Sequence, residues 1–172
     1  MKILVTGGAG YIGSHVVLSL CDNGEDVVVL DDLSSGTQNA IDDRAKFILG
    51  STLNKKDTDT ALDGVDVVIH LAALKAAGES MLYPTKYSQN NIVGTINLIN
   101  SMIDQDVNNF IFSSTAAVYG YPKYLPLDEN HPLNPINYYG FTKLEIERIL
   151  DWYNNLTGLK YAALRYFNVA GY

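Results

Sequence analysis

Short apolar runs alternate with stretches of helical periodicity along this sequence. Runs that are apolar almost throughout are typical of strands covered on both faces, and they predict strands at 2–6, 26–31, 46–49, 65–70, 109–113 and 160–166. Helical spacing of apolar residues predicts helices from a glycine-rich turn to residue 23, and over 84–105 and 139–155. Strands separated by helices predict an α/β fold. We expect a doubly wound, Rossmann-like parallel sheet in the strand order 3-2-1-4-5-6.

The length of 172 residues suits one domain. The segment 121–137 holds four of the five prolines and shows no periodicity, which predicts a long surface loop. The last predicted strand ends at Tyr166 and delivers polar side chains to the edge of the sheet where ligands bind in this architecture. We therefore expect a substrate-binding domain to follow, so that 1–172 is one nucleotide-binding domain with its substrate domain truncated.

Charge and composition exclude some classes of binding partner. Lys and Arg number 12 against 19 Asp and Glu, a net charge of -7, which argues against binding to nucleic acid or to an anionic membrane. No apolar run is long enough to span a bilayer. The single Cys21, with His15 and His70, offers no metal-ligand spacing, so we expect no metal site. Met1 leads directly into the first strand rather than into a secretory signal, and we expect a cytoplasmic protein.

A glycine-rich turn follows the first predicted strand and opens the first helix. Gly7, Gly10 and Gly13 are spaced three apart, and the turn also fits the G-x-G-x-x-G pattern. Such a turn brings the backbone close to a pyrophosphate, which the helix N-terminus then attracts. Asp31 ends the next strand, where a carboxylate accepts hydrogen bonds from the adenosine ribose and repels a 2′-phosphate, and Asp32 adds to that repulsion. This context predicts NAD rather than NADP.

A hydroxyl, a tyrosine and a lysine form the candidate catalytic group. Tyr139 and Lys143 are four residues apart at the start of a predicted helix, so they share one face, and the ammonium is expected to lower the pKa of the phenol. The preceding strand ends in hydroxyl side chains, of which Thr115 is expected to hold the substrate oxygen. A second match to this spacing joins Tyr119 and Lys123. A proline directly before Lys123 argues against a shared helix there.

The sequence resembles the extended short-chain dehydrogenase/reductases. The resemblance rests on Thr-Gly-Gly-Ala-Gly-Tyr-Ile-Gly-Ser-His at 6–15 and Tyr-Gly-Phe-Thr-Lys at 139–143. Within that family, the segments at 31–36, 74–80, 113–120 and 165–171 resemble the branch that inverts carbon 4 of UDP-sugars. The related sugar-nucleotide dehydratases place an acidic pair directly after the threonine, whereas this chain has Ala116 and Ala117 there.

The resemblance also implies which residues bind ligands. Asn168 corresponds to a residue that touches the nucleotide diphosphate, and Thr115 and Tyr139 correspond to residues that contact the sugar. The family usually has Gly-Asp after the third strand, and Gly50-Ser51 here predicts a weaker contact with the adenine. Beside Gly7, Gly10 and Gly13, the implied NAD contacts are Tyr11, Ile12, Asp31, Asp32, Leu33, Ser34, Ser35, Gly36, Ser51, Thr52, Leu71, Ala72, Ala73, Leu74, Lys75, Asn90, Thr115, Tyr139, Lys143 and Phe167.

The implied activity is the interconversion of UDP-galactose and UDP-glucose. It would proceed by transient hydride transfer to NAD through a 4-keto sugar, in a homodimer built on the two long helices. Family members continue into a domain that grips uridine and sugar, so this chain resembles their N-terminal portion. Two alternatives stay open: an NAD-binding fragment without turnover, and another NAD-dependent sugar-nucleotide dehydratase or reductase.

Overall fold

The computed structural model describes residues 1–170 and contains one six-stranded parallel sheet in the order β3-β2-β1-β4-β5-β6. This order confirms the prediction of a doubly wound α/β fold. Gly171, the last residue of the motif that begins at Arg165, lies outside the described residues. The strands are β1 (Lys2–Thr6), β2 (Asp26–Asp31), β3 (Lys46–Leu49), β4 (Val67–His70), β5 (Asn109–Thr115) and β6 (Lys160–Tyr166).

Helices cover both faces of the sheet. The α-helices are α1 (Tyr11–Asp22), α2 (Lys55–Ala61), α3 (Ala77–Leu82), α4 (Pro84–Tyr87), α5 (Gly94–Asp104) and α6 (Tyr138–Thr157). Short 3₁₀ turns cover Gln38–Ala40 and Ala116–Val118. No helix among residues 1–170 is long and apolar enough to cross a membrane.

The alternation of side chains along β1 explains the two cores. Ile3 and Val5 point to the face covered by α1, where they pack with Val17 and Val29. Leu4 points to the opposite face and belongs to a larger cluster that includes residues of α5 and α6, namely Leu98, Ile99, Met102, Ile146 and Leu150. Because both faces are buried, nearly every residue of the central strands is apolar, as the sequence pattern indicates.

The predicted helix over 84–105 is one rod with a change of pitch in its middle. Ser88–Val93 forms a π-helical segment between α4 and α5. Directly after it, Gly94 approaches Thr52 so closely that a Cβ atom would lie 2.6 Å from the threonine Oγ1. A π-helical turn redirects side chains relative to the regular helix and is often found at functional sites. Here it carries two consecutive asparagines, Asn90 and Asn91.

Other boundaries differ modestly from the predictions. β4 begins at Val67 rather than at residue 65, because the amide of Val65 bonds to the Leu62 carbonyl in a turn. β5 runs two residues further than predicted and pairs with β6 up to Thr115 and Tyr166. The segment 121–137 contains no helix or strand, which confirms the predicted loop.

Candidate cofactor and catalytic site

Two cavities lie side by side along the carboxyl edge of the sheet. The first cavity lies at the ends of β1, β2 and β3 and is lined by residues that include Asp31, Ser51 and Asn90. The second cavity lies at the ends of β4, β5 and β6 and includes Thr115, Tyr139 and Lys143. The ends of β1 and β4 separate them, which is the point where the strand order reverses. Ligands of doubly wound sheets bind at such a point.

The glycine-rich turn packs too tightly for side chains. Gly7 has φ +72°, and a Cβ atom there would lie 2.6 Å from the amide nitrogen of Ala72 in the loop after β4. A Cβ atom on Gly13 would overlap the Gly7 carbonyl oxygen. Gly10 is the N-cap of α1 and offers no side chain to cover the end of the helix. The turn thus keeps the N-terminus of α1 accessible to an anion.

Asp31 ties the end of β2 to the glycine-rich turn. Its Oδ2 accepts a hydrogen bond of 3.0 Å from the Ala9 amide, and its Oδ1 accepts one of 2.8 Å from the Leu33 amide. Each carboxylate oxygen can accept more than one hydrogen bond, so both keep capacity toward the cavity that they line. The carboxylate is therefore held in one orientation and can still receive ribose hydroxyls.

Tyr139 stands at the beginning of α6 and reaches Thr115 at the end of β5. Its amide donates a hydrogen bond of 3.0 Å to Ser80 Oγ, and Asn137 Oδ1 caps the helix by accepting from the Gly140 amide at 2.8 Å. Burial raises the pKa of the Tyr139 phenol above its ordinary value. A hydrogen bond with the Thr115 side chain offsets only part of this rise. The group that favours the phenolate here is thus Thr115, whereas the residue spacing predicts Lys143.

Lys143 is buried one helical turn after Tyr139, with 2% of its surface exposed. Its Nζ donates a hydrogen bond of 2.7 Å to the main-chain oxygen of Ser113 and lies 4.7 Å from the centre of the Phe112 ring. Desolvation lowers the pKa of Lys143 to about 7. This lysine can therefore gain or lose a proton near neutral pH, unlike an exposed lysine.

A chain of buried polar side chains runs beneath both cavities. Thr95 Oγ1 donates to the Asn91 carbonyl at 2.6 Å and therefore accepts from His70 Nε2 at 2.7 Å. His70 Nδ1 then accepts from Thr6 Oγ1 at 2.6 Å. Burial, with a smaller effect of Lys143, lowers the pKa of His70 to about 3, so this imidazole is neutral. The histidine belongs to the core, as its isolation in the sequence indicates.

Asn91 extends this chain to the catalytic helix. Its Oδ1 accepts from the Leu74 amide at 2.9 Å, and its Nδ2 donates to the Leu74 carbonyl at 3.0 Å and to Thr142 Oγ1 at 3.2 Å. Thr142 in turn donates to the Tyr139 carbonyl at 2.7 Å. The amide is 1% exposed. It therefore holds the loop after β4, which lines both cavities, against the first turn of α6.

The structure brings most of the predicted ligand-binding residues to the two cavities. Those on the first cavity are Gly7, Asp31, Asp32, Ser34, Ser35, Ser51, Thr52, Ala72, Ala73, Leu74 and Asn90. Those on the second cavity are Tyr11, Ile12, Leu71, Ala73, Lys75, Thr115, Tyr139, Lys143, Phe167 and Asn168.

Four predicted residues line neither cavity. Gly10 and Gly13 shape the turn itself. Leu33 has φ +58° and packs against the core on the α1 side of the sheet. Gly36 lies against Ala9, where a Cβ atom would overlap the backbone. These four positions shape the backbone around the cavities, and their contact with a cofactor stays a prediction.

Ser51 lies on the first cavity, at the position where the family usually has aspartate. Its amide donates a hydrogen bond of 3.0 Å to Asp57 Oδ2, and its Oγ accepts from the Leu53 amide at 3.3 Å. The carboxylate of Asp57 on α2 also packs against Gly50. The serine is therefore engaged in shaping the turn before α2.

Sequence reasoning missed the residues that support the site from behind. Ser80 and Asn91 bond to the main chain of Tyr139 and Leu74, respectively. No local pattern marks either residue. Asn91 shares its helical face with the polar Ser88 and Thr95, and Ser80 meets a partner 59 residues away in the chain.

The second Tyr-x-x-x-Lys pair is not assembled. Tyr119 follows the 3₁₀ turn after β5 and is 5% exposed, with the guanidinium of Arg165 5.1 Å from its ring centre. Lys123 lies in the irregular segment 121–137, where its amide donates to His131 Nε2 at 2.9 Å. Only the pair on α6 shares a helical face.

The fold and the site define a class of protein. Residues 3–172 match the model of the NAD dependent epimerase/dehydratase family, and the chain belongs to this family. The family is NAD dependent, in agreement with the cofactor predicted from the glycine-rich turn and Asp31.

Similar proteins carry a more specific name than the family does. The chain is 49% identical to the UDP-glucose 4-epimerase of Lactobacillus helveticus over 99% of its own length and 52% of the relative's. It is similar to the structure of the Brucella ovis UDP-glucose 4-epimerase in complex with NAD, with a TM-score of 0.94 and 43% identity over 97% of this chain and 52% of that one. The structure of the Thermotoga maritima UDP-glucose 4-epimerase with UDP-glucose gives a TM-score of 0.96 and 39% identity, over 99% of this chain and 57% of that one. The chain spans about half the length of the curated relatives that it matches.

Proposed function

We propose that this chain is the cofactor-binding part of a UDP-glucose 4-epimerase, which inverts carbon 4 of a UDP-hexose with NAD as its cofactor. The observation that carries the proposal is the convergence of Thr115, Tyr139 and Lys143 on one cavity. The glycine-rich turn and Asp31 lie beside that cavity. The names of the most similar relatives agree with this assignment.

The two cavities fit the two ends of a dinucleotide. The first cavity offers the Asp31 carboxylate to a ribose and the hydroxyls of Ser34 and Ser35 to polar groups of the adenosine. The glycine-rich turn lies between the cavities, and Gly7 and Gly13 let its backbone pack closely where Cβ atoms would overlap it. A pyrophosphate would then approach the uncovered N-terminus of α1. The nicotinamide end would then lie in the second cavity.

The second cavity brings a proton carrier to the substrate. When bound, NAD supplies a hydride acceptor and a positive ring that favours a nearby phenolate. Tyr139, as a phenolate, would take the proton of the sugar 4-hydroxyl on the way to a 4-keto sugar and would return it to the same oxygen after carbon 4 has been inverted. The Thr115 hydroxyl would hold the same sugar oxygen, and Lys143, whose pKa of about 7 leaves it partly protonated at neutral pH, lines the same cavity.

The structure favours epimerisation over dehydration. A dehydratase needs an acid and a base beyond the tyrosine, because it removes the proton of carbon 5 and releases the hydroxyl of carbon 6 as water. Ala116 and Ala117, which directly follow Thr115 in a 3₁₀ turn, offer neither group. An epimerase needs no acid or base beyond the tyrosine.

The proposal is tested by mixing the chain with NAD and UDP-galactose and assaying for UDP-glucose. Formation of UDP-glucose supports the epimerase. A 4-keto-6-deoxy sugar would identify a dehydratase, and NAD binding without turnover would identify a cofactor-binding fragment.

We also propose that two copies associate through α6 and the helical rod beside it. Phe141, Trp152 and Leu156 recur at helical spacing on the outer face of α6, with 40%, 67% and 75% of their surfaces exposed. Val93 is 44% exposed on the neighbouring rod, whereas Ile99 further along the rod is buried in the core. Light scattering should show a dimer that Trp152→Glu dissociates, and a monomeric wild type would contradict this assembly.

A further inference from the structure

Successive residues at the end of β5 are each bonded to α6 at intervals of one helical turn. The hydroxyls and the carbonyl of this strand end thus meet one face of the helix. The three bonded pairs are Thr115 with Tyr139, Ser113 with Lys143, and Ser114 with Glu147. The first two pairs contain the proposed reacting groups, and the third has no part in the proposed chemistry.

Glu147 lies behind the second cavity and is 7% exposed. Ser114, itself 2% exposed, donates its hydroxyl hydrogen to Glu147 Oε1. On the other side, Arg165 on β6 contacts both carboxylate oxygens, with Nη2 at 2.8 Å from Oε2 and Nε at 3.2 Å from Oε1. Ser114 and Arg165 are also paired across the sheet. One carboxylate therefore joins the helix to two neighbouring strands.

The ion pair alone would satisfy the charge of Glu147, because Arg165 bonds to both oxygens. The additional bond from Ser114 is not needed to compensate this charge. It fixes the position of the end of β5 along the axis of α6. Ser113, Ser114 and Thr115 all line the second cavity, so a bond that fixes Ser114 also fixes the position of its two neighbours there.

We propose that Glu147 is a positioning residue that acts through Ser114 to hold the end of β5 against the catalytic side chains of α6. This inference rests on the proposed function only in treating Tyr139 and Lys143 as reacting groups. The bonds themselves belong to the chain without cofactor or substrate.

The test follows the protonation of Lys143 by NMR of the chain labelled with ¹³C and ¹⁵N in lysine, with Lys143→Arg to assign the signal. The charged form of Lys143 donates to the Ser113 carbonyl, so displacement of the strand end weakens the charged form and lowers its pKa. In Ser114→Ala, which changes no charge, we expect the titration midpoint to fall by about 0.5 units or more. Glu147→Gln should lower it at least as far.

Glu145→Gln is the matched control on the same helix. It removes the same charge from a side chain that pairs with exposed Arg148 at 2.6 Å, and we expect an unchanged midpoint. Urea unfolding of each variant separates positioning from stability, because a residue that only stabilises the fold would lower the unfolding midpoint and leave Lys143 unaffected. If Glu147→Gln does not fold, Ser114→Ala decides. An unchanged or raised Lys143 midpoint in folded Ser114→Ala overturns the proposal, and failure of the chain to bind NAD would refute the proposed function without altering this result.

Discussion

Lys143 Nζ donates a hydrogen bond to the main-chain oxygen of Ser113 while almost the whole side chain is removed from water. A single carbonyl replaces only part of the hydration of an ammonium, so the charged form is disfavoured and its pKa falls to about 7. Burial of this ammonium therefore destabilises the fold at a position that the proposed reaction uses.

Replacing this lysine should stabilise the chain. Its folded pKa lies below the unfolded value, so the unfolded state binds more protons between pH 7 and 10.5 and stability rises with pH in that window. The penalty is fully present below pH 7. Lys143→Met should therefore raise the free energy of unfolding by about 1–3 kcal/mol near pH 6, with a smaller gain near pH 9.5. Urea unfolding at both pH values measures this, with exposed Lys160→Met as the control. Equal effects at the two pH values would contradict it.

His70 should contribute to acid sensitivity. Its folded pKa of about 3 lies below its ordinary 6.5, so only the unfolded state takes up this proton between those values and stability falls as pH falls. The steepest loss from one such group is about 1.4 kcal/mol per pH unit. His70→Gln can keep one accepted and one donated hydrogen bond, and it should show a shallower loss between pH 6 and pH 4. Exposed His15→Gln serves as the control, and an unchanged slope in His70→Gln would count against a neutral buried imidazole.

Tyr139→Phe should separate chemistry from binding. The substitution removes the phenol oxygen that carries the proton and keeps the ring, so turnover should fall by a factor of about 10² or more. NAD affinity measured by calorimetry should stay within a factor of about two. Tyr119→Phe, at the unassembled second pair, should change turnover little. Undiminished turnover in Tyr139→Phe would remove this phenol from the mechanism.

Asp31→Asn should weaken NAD binding and reduce discrimination against NADP. The carboxylate accepts from the Ala9 and Leu33 amides, and an amide side chain can replace only one of its two oxygens as an acceptor. The ribose hydroxyls would also lose a charge-assisted hydrogen bond to the carboxylate, which costs about 1.5–3 kcal/mol, or roughly a tenfold or greater loss of affinity. Asp32→Asn, on a neighbouring exposed side chain, should have a smaller effect. Equal NAD affinity in wild type and Asp31→Asn would argue against ribose binding at this residue.

The fold was largely predictable because the central strands are buried on both faces. Ile3, Leu4 and Val5 must all be apolar in such a strand. A continuous apolar run of this kind can be recognised from the sequence alone. α2 was not predicted, because Lys55–Ala61 is a short and mostly polar segment whose helical start depends on the Asn54 cap. A single cap of this kind is a weak signal in a sequence without an apolar stripe.

The cavity walls were predictable to a similar degree, whereas their supports were not. Tyr139 and Lys143 are about one helical turn apart, so their separation in the sequence already predicts that they lie close together in space. Glu147 meets Ser114 across 33 residues, and no local pattern records such a contact. The direction of the Tyr139 pKa was also missed, because burial depends on the packing of distant elements and outweighs what a nearby ammonium suggests.

We propose that these residues form an NAD site with the adenosine end at Asp31 and the reacting end at Tyr139. Calorimetric titration of the 172-residue chain with NAD and, separately, with NADP tests it most directly. We expect NAD to bind with a dissociation constant below about 1 mM, and NADP to bind at least about tenfold more weakly because the Asp31 carboxylate repels its 2′-phosphate. No binding of NAD at millimolar concentration, or equal binding of both dinucleotides, would contradict this assignment of the two cavities.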